Sequence, residues 1–298
     1  MARNRKVRLV IEGITQPTRL DRVIRNNFPK WGRRAVQSLV NAGKVKVNGR
    51  EVWLCSWKVK NGDRLDIVNP PQEKVPPPTR FDKSWIISHE SELIAVNKPA
   101  GLLSHSTRWT QTGNLLDLAI KRFGPLSLFH RLDRDTSGVV LLTGNGPINR
   151  YLDQAFKSRM IKKEYIALVP AKNNLSSSGI IKARIGPHGK RRDMMAVVAR
   201  GGKHAITRYE IIAESDGKQL LRLWPETGRT HQLRVHLLHK GAPILGDRLY
   251  GTRPRRAKRL MLHARQITLP ALEEFPERVY TAPVPEEFGG MLPLSDLL

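Results

Sequence analysis

Cysteine is nearly absent from this chain: Cys55 is the only one in 298 residues. A lone thiol excludes an intrachain disulfide and any cysteine-based metal cluster. Acids are scarce as well, 26 Asp and Glu against 52 Lys and Arg, so the formal net charge is +26 and the isoelectric point about 10.8. An excess of that size selects a polyanionic partner, either nucleic acid or an anionic membrane. No apolar run approaches the ~20 residues of a bilayer-spanning helix, so no membrane insertion is expected. The start, MARNRKVRLV, is basic without an apolar signal core, and folded-looking sequence begins by Thr18. A cytoplasmic nucleic-acid protein is the expectation. What the chain does contain is 40% hydrophobic residues, enough for a folded chain of more than one domain.

The positive charge is concentrated at the start. Residues 1–68 carry 16 Lys and Arg against 5 Asp and Glu, a net +11. Within them PTRLDRVIRNNFP spaces Leu20, Val23, Ile24 and Phe28 as one helical face, with Thr18 as the expected N-cap. WGRRAVQSLVNAG repeats the pattern through Val36, Leu39 and Val40, and Gly43 is placed to end that helix. Arg33 and Arg34 fall in its first turn, where the helix dipole would favour acids, so they serve a partner or solvent. In KVKVNGREV, Val45 and Val47 alternate with Lys44 and Lys46 up to an Asn48-Gly49 hairpin turn. Two short basic helices and a hairpin, Thr18 to Arg50, resemble the alpha-L RNA-binding motif. The candidate RNA contacts are Arg19, Arg22, Arg33, Arg34, Lys44 and Lys46. A solvated basic face is the bland alternative.

Prolines at 70, 71, 76, 77 and 78 predict an extended spacer over 69–80. Three segments are therefore expected: a small domain at 1–68, the linker, and one large domain at 81–298. In the last, LIAVN, VVLLT, YIALV and QLLRLW read as strands and PINRYLDQAFKSR as a helix.

Several apparent sites in this region carry little. TGNGPINR has a strand–Gly-x-Gly–helix order but lacks the third glycine and contains Pro147, so it reads as an ordinary connection. His231 and His236 are five residues apart, which suits neither one helical face nor one strand face, and no acidic cluster completes a metal site with His239. Cys55 reads as a packed side chain.

The segment HRLDRDTSG, residues 130–138, stands out because an acid is set among arginines. Nearby Arg131 and Arg134 would favour the ionised form of Asp133 and make it a nucleophile or a base. A structural Arg–Asp network holding the turn is the equal alternative on these residues alone.

Further motifs follow in order: ELIAVNKPAGLLSH, HRLDRDTSG, KKEYIALV, PETGRTHQLRVHLLHKGAPILGDRLYG and LMLHARQITL. Together they resemble the RluA family of pseudouridine synthases, from roughly Thr18 to His263. That resemblance implies isomerisation of uridine to pseudouridine in RNA, without cofactor or metal. It implies that Asp133 is the catalytic aspartate, as nucleophile or as base toward a sugar proton. Tyr165 is implied to stack on the target base, Arg229 to be the basic partner of Asp133, and Leu233 to line the base pocket. His130 and Arg131 are expected to support the site, while Asp135 and Asp247 read as turn or hydrogen-bonding residues. The implied fold is α+β, a long, mainly antiparallel mixed sheet with the site in a central cleft. Ribosomal RNA is favoured over transfer RNA as substrate, a monomer is the default, and a non-catalytic ribosome-assembly factor on the same fold is the alternative.

Overall fold

The computed structural model describes residues 6–29, 31–68, 78–90, 92–106, 112–144, 146–189, 191, 193–251, 257–272 and 275–289. Residues 69–77 of the expected linker, the basic run at 252–256 and the Arg34 side chain lie outside them. The chain forms two compact units, Met1–Pro76 and Pro77–Leu298, dividing within the proline-rich stretch. Among the described residues no helix is long and apolar enough to cross a membrane.

The first unit contains β1 (Lys6–Val10), β2 (Thr18–Arg19), α1 (Leu20–Asn27), α2 (Arg33–Asn41), β3 (Val45–Val47), β4 (Arg50–Val52), β5 (Lys58–Val59) and β6 (Arg64–Val68). Its antiparallel sheet has the order β1-β6-β3-β4. The two amphipathic helices bury Leu20, Val23, Ile24, Val36, Leu39 and Val40 in one core with the inward residues of the sheet. The hairpin turn forms as its sequence predicts: Asn48 and Gly49 both take positive φ, 50° and 82°, as a two-residue hairpin of this type requires.

Two details differ from expectation. Thr18 does not cap α1; it lies in β2, paired with Val59, and its hydroxyl donates to the Gln16 carbonyl. The first free N–H groups of α1, at Leu20 and Asp21, donate instead to the carbonyls of Trp57 and Cys55. A loop distant in sequence thus does the work of a capping side chain. Strand β1, inside the basic start, was not foreseen, because its residues alternate only between exposed and half-buried.

The second unit is built on an 11-stranded sheet with five further pieces of helix and 3-10 turn packed on it. Its strands are β7 (Ile86–His89), β8 (Leu93–Lys98), β9 (Ser127–Leu128), β10 (Ser137–Thr143), β11 (Lys162–Pro170), β12 (Ser178–Pro187), β13 (Met195–Val197), β14 (Lys203–Ser215), β15 (Lys218–Pro225), β16 (Leu262–Leu269) and β17 (Arg278–Thr281). The main path runs β13-β12-β14-β15-β11-β16-β10-β8-β7. Every pairing is antiparallel except β10 with β16, so the fold is α+β on a mainly antiparallel mixed sheet.

Strand β10 explains the uninterrupted apolar run in the sequence. All seven of its residues are buried. Val139 and Leu141 face α4 (Pro147–Lys157) through Ile148 and Leu152, while Val140 and Leu142 face α3 (Leu115–Phe123) through Leu115 and Leu118. A strand covered on both sides loses the polar alternation of a half-exposed one. At its start, Gly138 has φ +118°, and a Cβ there would lie 2.1 Å from the Ala264 carbonyl oxygen. Only glycine lets β10 meet β16 in parallel at that point.

Candidate active site

Asp133 sits in the turn that enters β10, and its neighbours are tied down on every side. The buried Ser104 hydroxyl accepts the Leu132 N–H at 3.0 Å and donates to the Leu132 carbonyl at 2.8 Å. The Thr136 N–H donates to the carbonyl of Asp133 itself, and the Gly101 N–H to that of Arg134. Lys98 is fully buried beneath the turn and donates from Nζ to the carbonyls of Pro99, Leu102 and Arg134, at 3.0, 2.8 and 3.1 Å. Burial pushes its ammonium down to about 7, against the opposing pull of the Asp133 and Asp135 charges. A buried lysine spanning two loops fixes the Asp133 backbone from below.

The cation that meets the Asp133 carboxylate is Arg234, not the one expected. Arg234 is the third residue of α5 (Gln232–His239) and donates from Nη1 to Asp133 Oδ2 at 3.2 Å. Its Nε and Nη2 grip Asp247 in a fork at 2.7 and 2.8 Å. Asp247 also accepts the N–H groups of Leu249 and Tyr250. The forked Asp247 contact holds Arg234 well above the ordinary arginine range, in spite of burial. Arg229 precedes the helix, and its Nε donates to the His204 carbonyl at 3.0 Å. Buried Gln232 locks that loop, accepting from the Arg229 N–H and the Thr227 hydroxyl while donating to Ile206 and Thr207. Arg131 and Arg134, adjacent in sequence to the carboxylate, also pair elsewhere: Arg131 with His105 at 3.0 Å, Arg134 with Asp135 at 3.1 Å. Alternating residues around a tight turn diverge, so sequence neighbours of Asp133 are not its partners.

A second polar group approaches the same oxygen. His231 Nε2 lies 3.8 Å from Asp133 Oδ2, and its Nδ1 lies 2.7 Å from the Tyr250 hydroxyl. That hydroxyl already accepts the Met195 N–H at 2.8 Å. Where its own proton goes to His231 Nδ1, the imidazole proton sits on Nε2, toward Asp133. Burial is the largest influence on His231 and lowers its pKa, favouring the neutral ring this arrangement needs. His231 takes a left-handed backbone, φ 57°, at the start of α5, a conformation uncommon outside glycine. The His231–Tyr250 pairing was not foreseen from the sequence.

These groups open into a cleft of about 1230 Å³ whose walls include Asp133, Tyr165, Leu233, His130, Arg131 and Arg229. Tyr165 enters from β11 at a register slip between Glu164 and Tyr165; an irregularity of that kind re-aims a strand side chain. Its phenol is pushed far up, first by burial and then by the Asp133 charge. Leu233 is buried in the core beneath the cleft. His130 accepts the Leu141 N–H through Nε2 at 3.1 Å, and burial lowers it to about 3, so it supports β10 as a neutral ring. The other histidines of the sequence are dispersed, with His236 Nδ1 against the Thr207 hydroxyl at 3.0 Å. Among the described residues no group of three or more His, Cys, Asp or Glu could hold a metal ion.

The cations named for RNA contact belong to the other unit. Arg22 and Arg33 are exposed, and Lys44 is half-buried. Arg19 pairs with Asp21 at 3.0 Å and Lys46 with Glu51 at 3.4 Å. Four residues of the site were missed in the sequence. Arg234 was within reach, since it lies in GRTHQLR beside Arg229, and Lys98 and Ser104 stand in VNKPAGLLSH. Tyr250 had no signal of its own.

Residues 92–239 match the family described as RNA pseudouridylate synthase. The chain is 31% identical over 300 residues to ribosomal large subunit pseudouridine synthase D of Haemophilus influenzae, a match spanning 92% of this chain and 90% of that protein. It is 35% identical over 250 residues to the protein of the same name from Haemophilus ducreyi, spanning 80% and 75%. A solved structure, human RNA pseudouridylate synthase domain containing 1, superposes with a TM-score of 0.59 at 27% identity, over 71% of this chain and 91% of that one.

Proposed function

The chain belongs to the RluA family of RNA pseudouridine synthases, and from that premise we propose that it isomerises uridines of large-subunit ribosomal RNA with Asp133 as its single catalytic carboxylate and no cofactor. The observation that supports this best is the triad Asp133–Arg234–Asp247, set in a cleft with Tyr165 and Leu233 on its walls. The ribosomal target rests on the names of the relatives.

The reaction is an isomerisation. The N1–C1′ bond breaks, the uracil turns while held, a C5–C1′ bond forms, C5 loses its proton and N1 gains one. Nothing leaves the site, so the acid that a glycosidase needs to protonate a leaving group has no task here. One carboxylate, held at a fixed angle by Arg234 and faced by His231, serves as nucleophile toward the sugar or as base toward a sugar proton. Tyr165 offers its ring to the uracil, and base–aromatic stacking, worth roughly 1–3 kcal/mol, offsets part of the cost of flipping a nucleotide out of structured RNA. Leu233 closes the pocket against water. The first unit, net +11 over residues 1–68, holds the RNA backbone through Arg19, Arg22, Arg33, Lys44 and Lys46. The protein acts as a monomer in the cytoplasm in this reading.

Tritium release from large-subunit ribosomal RNA labelled at uridine C5 tests the proposal. The wild type should release tritium and Asp133→Asn should not, with RNA affinity kept. Release from transfer RNA alone would move the target. Binding without release would identify an assembly factor on this fold. Release by both proteins would remove Asp133 from the catalytic role.

A further inference from the structure

The first unit displays three large apolar side chains within five residues: Trp53 at 58% exposure, Leu54 at 63% and Trp57 at 46%. Large apolar side chains exposed together in one loop mark a contact surface. They occupy the loop between β4 and β5, and that loop is held firmly. The Trp57 N–H donates to the Leu54 carbonyl, and the carbonyls of Trp57 and Cys55 accept the first N–H groups of α1. The Trp53 indole is seated at the end of α2, where a Cβ on Gly43 would lie 2.6 Å from its Nε1. Glycine at 43 therefore gives the ring its seat as well as ending the helix. Cations border the loop: Lys58 and Lys60 follow it in sequence, and Arg19 and Arg33 both act electrostatically on Asp21, whose N–H bonds Cys55.

We infer that Trp53, Leu54 and Trp57 form a stacking platform for unpaired bases of RNA. A seated Trp53 ring on a loop whose backbone is bonded to α1 loses little freedom on contact, and any base offers a face to it and to Trp57. The flanking lysines and arginines supply phosphate contacts. A paired helix hides its base faces, so the platform selects single-stranded segments. A net charge of +11 over residues 1–68 opposes a second copy of the same surface as the occupant. The inference rests on the chain acting on RNA, and extends that reading to a contact remote in sequence from the catalytic motifs.

The test uses the full-length protein and a 12-nucleotide oligoadenylate, which has no uridine for the cleft, beside a hairpin duplex of equal length. Affinity is read by fluorescence anisotropy over a range of salt. The double change Trp53→Ala/Trp57→Ala should weaken oligoadenylate binding about tenfold or more. The slope of log affinity against log salt should stay unchanged, because the phosphate contacts remain. Trp53→Phe/Trp57→Phe should restore binding to within about threefold. Leu54→Asp leaves both indoles in place and should weaken binding by repulsion, which covers the case in which the alanine protein unfolds. Unchanged affinity in the alanine and aspartate variants overturns the platform. So does equal loss on the duplex, or a loop-dependent dimer of the free protein. Tritium release run in parallel separates the two ideas: intact wild-type turnover with unchanged oligoadenylate affinity sinks the platform alone, and absent turnover sinks the enzymatic reading alone.

Discussion

Arg234 stands between two carboxylates and treats them differently, reaching Asp133 with one nitrogen at 3.2 Å and gripping Asp247 with two. The fork sets the guanidinium plane, and the remaining Nη1 then sets the Asp133 carboxylate. Asp247, 1% exposed at its side chain, acts through Arg234 as a positioning residue. Planar, bidentate donors are what arginine supplies and lysine cannot.

Arg234→Lys should therefore keep the charge and lose the geometry. A charged hydrogen bond is worth about 1.5–3 kcal/mol, so turnover in single-turnover tritium release should fall roughly 10- to 100-fold. RNA affinity should hold. Wild-type turnover in this variant would show that the fork is dispensable.

Tyr250→Phe removes the hydroxyl that orients His231 without altering the ring over which Arg234 lies at 4.9 Å. Turnover should drop about tenfold, the value of one hydrogen bond, with KM unchanged. The pH–rate profile should shift as His231 loses its hydroxyl partner, a change that a merely structural role would not produce.

Lys98→Met leaves three buried carbonyls without their donor and should cost about 2–4 kcal/mol in chemical unfolding. The pH dependence has a definite sign. The lysine titrates at about 7 in the fold against an ordinary 10.5, so between those values the unfolded chain binds the extra proton. The contribution of Lys98 to stability thus rises with pH across that window and is level below it. The stability of the wild type minus that of the variant should grow from pH 7 to 10; a flat difference would contradict the lowered titration.

Gly138→Ala puts a methyl against the Ala264 carbonyl, at a φ of +118°. About 3 kcal/mol of stability should be lost, seen as a lower Tm. Turnover should fall with it, since the β10–β16 register carries the Asp133 turn.

Removal of residues 1–68 should weaken RNA binding and flatten its salt dependence, as net positive charge is lost with them. Affinity and slope equal to those of the whole chain would exclude the first unit from RNA contact.

Much of the fold was legible because period and punctuation are local. Leu20, Val23 and Ile24 repeat as a helix repeats, Asn48-Gly49 satisfies a positive-φ turn, and the five residues VVLLT announce a strand covered on both faces. The motifs likewise marked the cleft, since Asp133, Tyr165 and Leu233 do share its walls. Strand β1 apart, the failures were of partnership. Arg131 and Arg134 adjoin Asp133 along the chain but turn to His105 and Asp135, whereas Arg234 arrives from 101 residues away. Thr18 looked like a cap, yet the cap is a pair of carbonyls from the Trp57 loop. By itself the sequence determined the most strongly periodic helices and strands, the polyanionic character of the partner, and which motifs gather at the site. Tertiary structure alone decided which cation meets Asp133, which hydroxyl meets His231 and which buried lysine carries the turn. Side-chain pairing depends on where elements cross in space, and spacing along the chain does not encode those crossings.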